Sequence, residues 1–241
     1  DKIIADGYNN QLPFFEELIP ATVKQFEKSI QNGETKYSSL SEAIQVLAAW
    51  DFTSSENSIA LTLANEWGFK IDPLLRKTYI DQGELDQVEN SRNFIQHLTA
   101  EQVLPQLQEV ITELTTKFGT WKMPWGEINR FQRLSGDIDA GFDDGKPYVP
   151  IGLASGNWGA LAAYGARATE NTKRLYGYRG NSFVAVVEFG AKVRAKSILA
   201  GGQQSDPNSP HFFDQAQRYA DAQFKEVPFY REDVEKRMVR S

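Results

Sequence analysis

A serine-type catalytic site is the first chemistry to consider, and one histidine has suitable neighbours. His211 lies close in sequence to Ser205, Asp206, Ser209 and Asp214. A Ser–His–Asp site needs one imidazole within hydrogen-bond reach of both partners. The same residue types are common in loops, because their side chains bond neighbouring backbone groups. We therefore expect His211 to be a structural loop residue, and catalysis is the alternative.

Residues 135–146 (SGDIDAGFDDGK) bring several carboxylates together, which suggests calcium chemistry. The carboxylates are Asp137, Asp139, Asp143 and Asp144. The stretch lacks the ligand spacing and the terminal Glu of an EF-hand loop. We expect a solvated, turn-rich surface loop and keep metal binding as the alternative.

The segment that follows is rich in glycines and aromatic residues. Glycines 152, 156 and 159 do not form a GxxxxGK[ST] phosphate loop, so nucleotide binding is disfavoured. The aromatic residues could line a groove for sugars or apolar ligands, but rings in such a segment are more often core. They are Trp121, Trp125, Tyr148, Trp158 and Tyr164.

The composition excludes several classes of protein. The 241 residues carry a net charge of −6 and no basic cluster, which argues against nucleic acid as a partner. The absence of cysteine excludes disulfides and thiolate metal sites. No apolar run reaches the roughly 20 residues that a membrane helix needs. The second histidine, His97, precedes a predicted helix and is expected at the surface.

Helical periodicity dominates the first half of the chain. Pro20 suits the first turn of a helix, and Ser39 with Glu42 resembles a capping box before a helix that ends near Trp50. Ser55 could cap a third helix that Gly68 ends. Residues 72–95 are expected to form short helices or a loop, and 103–118 to form a helix that Pro105 delays or kinks.

The second half has the patterns of strands. Residues 183–189 are apolar and β-branched, which predicts a strand buried on both faces. Residues 192–197 alternate charged and small side chains, so the two runs form a predicted hairpin. Asp214 could cap a helix, and a helical tail over 231–240 follows. The fold class is therefore α+β, with a mainly helical block at 1–118 and a β-rich block with C-terminal helices at 119–241.

Two segments of the first 130 residues resemble the penicillin amidase family. Leu47, Trp50 and Asp51, followed by Ser58, Ala60 and Trp67, are similar to its "L-x-x-W-D…S-x-A…W" segment. Trp125-Gly-Glu-Ile-Asn-Arg130 is similar to its "W-G-x-x-x-R" segment. The stretch 180–189 resembles a late core strand of the family.

The most specific resemblance lies in residues 201–215. The family has a C-terminal signature, "G-x-S/T-x-x-P-x-S-P-H-Y-x-D-Q", and Phe212 stands where Tyr is usual. The pieces occur in family order over roughly residues 40–230, and the closest subgroup is the acyl-homoserine lactone and aculeacin acylases. The matching residues of the signature are Gly201, Gly202, Gln203, Asp206, Pro207, Ser209, Pro210, His211, Asp214 and Gln215.

The resemblance implies the C-terminal part of the large (β) chain of an N-terminal-nucleophile hydrolase with an αββα sandwich. Such a precursor cleaves itself into two chains, usually in the periplasm, and a serine at the start of the large chain attacks acyl amides with its own α-amine as base. This chain begins with Asp1, so we expect the nucleophile to be absent from it. The oxyanion-hole asparagine and the calcium ligands of the family lie upstream. No catalytic, cofactor-binding or metal-binding residue is therefore assigned here.

The expected partners are the remainder of the same precursor and an acyl-amide substrate, and the expected location is periplasmic or secreted. As a separated segment, residues 183–199 are expected to expose apolar surface and open strand edges. The alternative function is a non-catalytic ligand-binding or interaction module built on an aromatic groove over 120–165.

Overall fold

The computed structural model describes residues 2–82, 87–137 and 141–238, and most of its helical residues lie in the first half of the chain. The helices of the first half are α1 (Lys2–Gly7), α2 (Pro13–Gln31), α3 (Ser41–Ala48), α4 (Ile59–Gln82), α5 (Gln87–Gln96) and α6 (Ala100–Phe118). Shorter helices follow as α7 (Trp125–Ile128), α8 (Ala216–Ala220) and α9 (Arg231–Arg237).

The described strands form two sheets. The first sheet has the order β2-β1-β4-β3, with β1 parallel to β4 and the other pairs antiparallel. The second has the order β5-β6-β7 and is antiparallel. The strands are β1 (Asn129–Phe131), β2 (Val149–Pro150), β3 (Tyr164–Arg167), β4 (Leu175–Gly180), β5 (Phe183–Glu188), β6 (Arg194–Leu199) and β7 (Lys225–Glu226). This mixture of helices and small sheets agrees with the predicted α+β class.

The helix starts differ from those that the sequence predicts. Pro20 lies inside α2, whose first turn instead contains Pro13. The predicted capping box of Ser39 and Glu42 does not form, because a 3₁₀ turn over Ser38–Leu40 leads into α3. Ser58, and not Ser55, caps α4, since its Oγ accepts the Leu61 N–H at 3.0 Å. Short polar residues upstream of a helix compete for the cap, and spacing alone did not identify the right one.

Gly68 does not end a helix. The helix α4 continues through it to Gln82. Residues 72–95, for which short helices or a loop were predicted, are therefore helical over 72–82 in α4 and from Gln87 onward in the short helix α5. A Cβ atom at Gly68 would lie 2.8 Å from Cη2 of Trp158. This glycine therefore allows the indole ring to pack directly on the helix backbone.

The predicted helix over 103–118 forms and begins earlier than expected. Thr99 and Gln102 make a capping box at its start, in which the Gln102 Oε1 accepts the Thr99 N–H at 2.8 Å. Pro105 lies inside α6 and does not delay it. Gly119 ends the helix in the left-handed conformation, with φ of +83°, which glycine adopts without strain.

The hairpin of β5 and β6 is confirmed. Its first strand is not buried on both faces in this chain, and its exposed apolar surface agrees with the expectation for residues 183–199 as a separated segment. The six residue pairs from Phe183–Leu199 to Glu188–Arg194 are in register. Phe183 is 63% exposed, and β5 is an edge strand of its sheet. An apolar β-branched run predicts a strand, but it cannot show whether other strands cover it.

Two clusters of buried apolar side chains hold these elements together. The larger cluster contains side chains from each of the helices α2 through α6. It extends past the predicted boundary at residue 118 to Trp125, Ile128, Ala154 and Trp158. The smaller cluster lies around Ile151, Tyr164, Ile198 and Tyr219, where the two sheets and α8 meet. No helix in the described ranges is long and apolar enough to cross a membrane.

A carboxyl group in the α4–α6 interface should make stability depend on pH. Burial raises the pKa of Glu66, although the Asn65 amide and Lys117 act in the opposite direction. A folded-state pKa above the unfolded value means that the stabilisation is present at low pH and is lost as the pH rises through the folded pKa. We expect Glu66→Gln to melt at a higher temperature at pH 7, with a smaller gain at pH 4. An equal or lower melting temperature at pH 7 would contradict this.

Candidate functional site

The loop over 201–215, which matches the most specific family motif, is closed by main-chain contacts. Gly201 has φ of +77° and its carbonyl oxygen accepts the Gln215 N–H at 2.7 Å. A Cβ atom at Gly202 would lie 2.6 Å from the Phe212 carbonyl carbon and closer still to the His211 carbonyl oxygen. The two ends of the motif therefore touch through their backbones, and only glycine fits at position 202.

Arg133, which lies two residues after β1 of the first sheet, holds this loop in place by hydrogen bonds. Its Nη1 donates to the carbonyl oxygen of Phe212 at 2.6 Å and to that of Gly202 at 3.4 Å. Its guanidinium group also lies 4.1 Å from the centre of the buried Phe212 ring. A planar cation stacked on a ring and bonded to carbonyls fixes the position of both chain segments. The sequence offered no signal for this role, because Arg133 lies 69 residues before Gly202.

The polar side chains of the loop mostly bond the loop itself. Asp206 Oδ1 accepts the Asn208 N–H at 2.9 Å, and Ser209 Oγ accepts the His211 N–H at 3.2 Å. Such local bonds fix turns. His211, the predicted loop histidine, is thus held through its backbone N–H. Ser209 Oγ accepts that N–H and does not bond the imidazole.

His211 bonds Asp214 instead of a serine. Its Nδ1 lies 3.0 Å from Asp214 Oδ2, and its side chain is 72% exposed. The hydrogen bond from His211 lowers the pKa of the Asp214 carboxyl group. Asp214 was expected to cap α8, but the helix begins after Gln215 without a side-chain cap. His97 is exposed, as predicted, with its Nδ1 2.9 Å from the Asn93 carbonyl oxygen.

Arg130, which closes the "W-G-x-x-x-R" segment, is buried and stacked. Its guanidinium carbon lies 3.5 Å from the centre of the Tyr148 ring, and its Nε donates to the Glu127 carbonyl oxygen at 3.0 Å. The Tyr148 hydroxyl donates to Glu127 Oε2 at 3.1 Å. Tyr148 therefore holds Arg130 in place and does not stand free for a ligand.

Asn129, one residue earlier, is a buried amide that sequence reasoning missed. Its Nδ2 donates to the carbonyl oxygens of Ile151 at 2.8 Å and Leu153 at 3.0 Å. Its Oδ1 has no hydrogen-bond partner within the described residues. Two acceptors facing the same nitrogen fix the orientation of this amide. Asn129 thus connects β1 to the chain that follows β2.

The acidic stretch is anchored to the first sheet. Asp144 accepts the Lys173 N–H at 2.8 Å and the Tyr176 hydroxyl at 2.9 Å. Burial alone would raise the pKa of Asp144, but these bonds and the nearby Arg174 outweigh it and lower the pKa. Asp139 lies outside the described residues, and no metal-binding group of three acidic or histidine side chains is found among those that are described.

The aromatic-groove interpretation is wrong for three of its five rings. Trp125, Trp158 and Tyr164 are buried, and their polar atoms are satisfied inside the protein. The indole N–H groups of Trp125 and Trp158 donate to the Leu153 carbonyl and to Asn65, and the Tyr164 hydroxyl donates to the Arg130 carbonyl. These three rings belong to the hydrophobic core, as was predicted for aromatic residues in a glycine-rich segment.

The "L-x-x-W-D…S-x-A…W" residues also serve the fold. Asp51 Oδ1 accepts both the N–H and the hydroxyl of Thr53, and the Thr53 N–H bond is the main reason for the lowered pKa of Asp51. The Trp67 indole N–H donates to the Val103 carbonyl at 3.0 Å and so joins α4 to α6. With Ser58 as the cap of α4, this motif sets helix ends and helix contacts.

The sequence matches the family model of penicillin amidase over residues 4–236. The chain therefore belongs to the penicillin amidase family, as the ordered motifs indicated.

Among curated proteins, the chain is 32% identical over 100 residues to "Acyl-homoserine lactone acylase PvdQ" of Pseudomonas savastanoi pv. phaseolicola (strain 1448A / Race 6). That match covers 41% of this chain and 13% of the relative.

Proposed function

We propose that the protein acts as an amidohydrolase that cleaves acyl amides, such as β-lactam side chains or acyl-homoserine lactones, by N-terminal serine catalysis. The observation that carries the proposal is the penicillin amidase match over residues 4–236. In this chemistry the serine hydroxyl attacks the amide carbonyl, and the serine's own α-amine, with an ordinary pKa near 8, accepts the proton. The named activity of the acyl-homoserine lactone acylase relative supports the same class of substrate.

We further propose that these 241 residues provide scaffold to a catalytic site formed elsewhere in the precursor. The side chains of the family motifs support this, because those described above bond turns, helix ends and carbonyl groups of this chain. The two sheets then belong to an αββα sandwich. The remainder of the precursor is the partner, family calcium is bound upstream, and the protein is periplasmic or secreted.

An assay of acyl-amide hydrolysis tests both parts of the proposal. We expect the full-length protein to release the chromophore from a phenylacetyl or fatty-acyl amide. The 241-residue chain alone should show no turnover above the uncatalysed rate, and mixing it with the upstream segment should restore activity and give a larger species in size-exclusion chromatography. Turnover by this chain alone contradicts the scaffold role. An inactive full-length protein across the amide panel contradicts the amidohydrolase assignment.

A further inference from the structure

A cavity of about 460 Å³ lies where the two sheets and α8 meet. Phe131 and Tyr164 from the first sheet and Tyr219 from α8 give it aromatic walls, and Tyr178 on β4 lies at its side. Its volume lies within the roughly 300–1,000 Å³ of small-molecule sites. The size and the walls favour a ligand with an aromatic or short alkyl body.

The charged side chains that line this cavity are both arginines. They are Arg133 and Arg179, and no acidic residue lines it. Within the described residues, neither guanidinium group forms an ion pair with a carboxylate. The hydrogen bonds of Arg133 to the loop carbonyls both use Nη1, which leaves the donors of Nε and Nη2 for another acceptor. Two cations without acidic partners stand out in a chain with a net charge of −6.

Glycines keep the wall open on the side of the family motif. Gly201 and Gly202 line the cavity from one side, and Gly177 and Gly180 line it from β4. Gly202 is held by backbone contacts and Gly201 has a positive φ, so larger residues are excluded there for reasons of the fold. The most specific family motif thereby builds one wall of a cationic, aromatic cavity.

We propose that this cavity binds a small carboxylate that carries an aromatic or short alkyl group. The carboxylate accepts hydrogen bonds from Arg179 and from the remaining donors of Arg133. The apolar group lies against the wall formed by Phe131, Tyr164 and Tyr219, whose rings pack on one another. A guanidinium group is suited to this role, because its planar donors match both carboxylate oxygens. The site is independent of the proposed amidase activity.

Calorimetric titration of the full-length protein with benzoate, and with benzamide as the uncharged analogue, tests the site. We expect benzoate to bind at least about tenfold more tightly, because only its charged carboxylate accepts charge-assisted hydrogen bonds from the guanidinium groups. Arg179→Gln should weaken benzoate binding by about tenfold or more and leave the weak binding of benzamide unchanged. The change caused by Arg179→Gln assigns the binding to this cavity and is measured without turnover, so it is separate from the outcome of the hydrolysis assay.

Arg167→Gln provides the matched control. Arg167 lies on the neighbouring strand β3 and stacks on Tyr178 at 4.7 Å, but it does not line the cavity. We expect less than about a twofold change in benzoate affinity, because Arg167 is exposed outside the cavity and solvent screens its charge. Ser182→Trp, which places a ring in the cavity, should abolish binding. Equal affinity for benzoate and benzamide, no binding of benzoate, or an unchanged affinity in Arg179→Gln would each overturn the proposal.

Discussion

Gly202→Ala is expected to destabilise the protein by about 3 kcal/mol, the upper end of the usual range for overpacked sites. The new methyl group would overlap the backbone of His211 and Phe212, where a side chain could not rotate away. Moving that backbone would also strain the bond from Arg133 to the Phe212 carbonyl. The loop would therefore separate from the first sheet. Urea unfolding followed by tryptophan fluorescence measures the change in the free energy of unfolding.

Gly190→Ala is the control for this substitution. Gly190 lies in the turn of the β5–β6 hairpin, and the nearest atom to an added Cβ is the Lys192 carbonyl oxygen at 3.8 Å. The same chemical change should alter the free energy of unfolding by less than about 0.5 kcal/mol, which is typical of surface positions. If the two variants unfold alike, the backbone contact at Gly202 is not the reason for the glycine.

The sequence predicts the elements of this chain better than their environment. Helical periodicity predicted α6, and the β-branched and alternating runs predicted the hairpin, because both patterns depend only on neighbouring residues. The residues of β5 could not show whether the strand is buried in this chain, since exposure depends on which strands lie beside it. Gly68 was misread for a similar reason, because the ring that requires a glycine there belongs to Trp158, 90 residues later.

In the candidate site, too, the local contacts were predicted and the contacts between distant segments were missed. The motif around His211 was correctly expected to be a hydrogen-bonded loop, because Asp, Ser and Asn bond their own turns. Arg133 and Asn129 were missed, because each acts on a carbonyl group that follows it by 22 to 79 residues. Neither residue type has a pattern that reveals such a partner. Contacts between distant segments need the fold itself.

The second large effect is expected at Asn129. Asn129→Asp replaces the Nδ2 donor with an oxygen that faces the carbonyl oxygens of Ile151 and Leu153, while the other oxygen keeps the place of the unpartnered Oδ1. Neither oxygen of the carboxylate would then have a donor. A buried charge without a partner destabilises by about 3–5 kcal/mol, so we expect a loss of about 4 kcal/mol at pH 7.

Asn and Asp have nearly the same shape, so the packing is preserved. The pH dependence of Asn129→Asp therefore separates the effect of the charge from the loss of the two donated hydrogen bonds. The missing donors should raise the folded-state pKa of the new carboxyl group above its unfolded value near 3.9. The protonated acid can donate to one of the two carbonyls, so the loss should be smallest below the unfolded pKa and should grow as the pH rises towards the folded pKa. Urea unfolding at pH 4 and pH 7 measures this, with Asn157→Asp at an exposed position as the control for the added charge. An equal loss at both pH values would contradict a buried, unpaired charge as the cause.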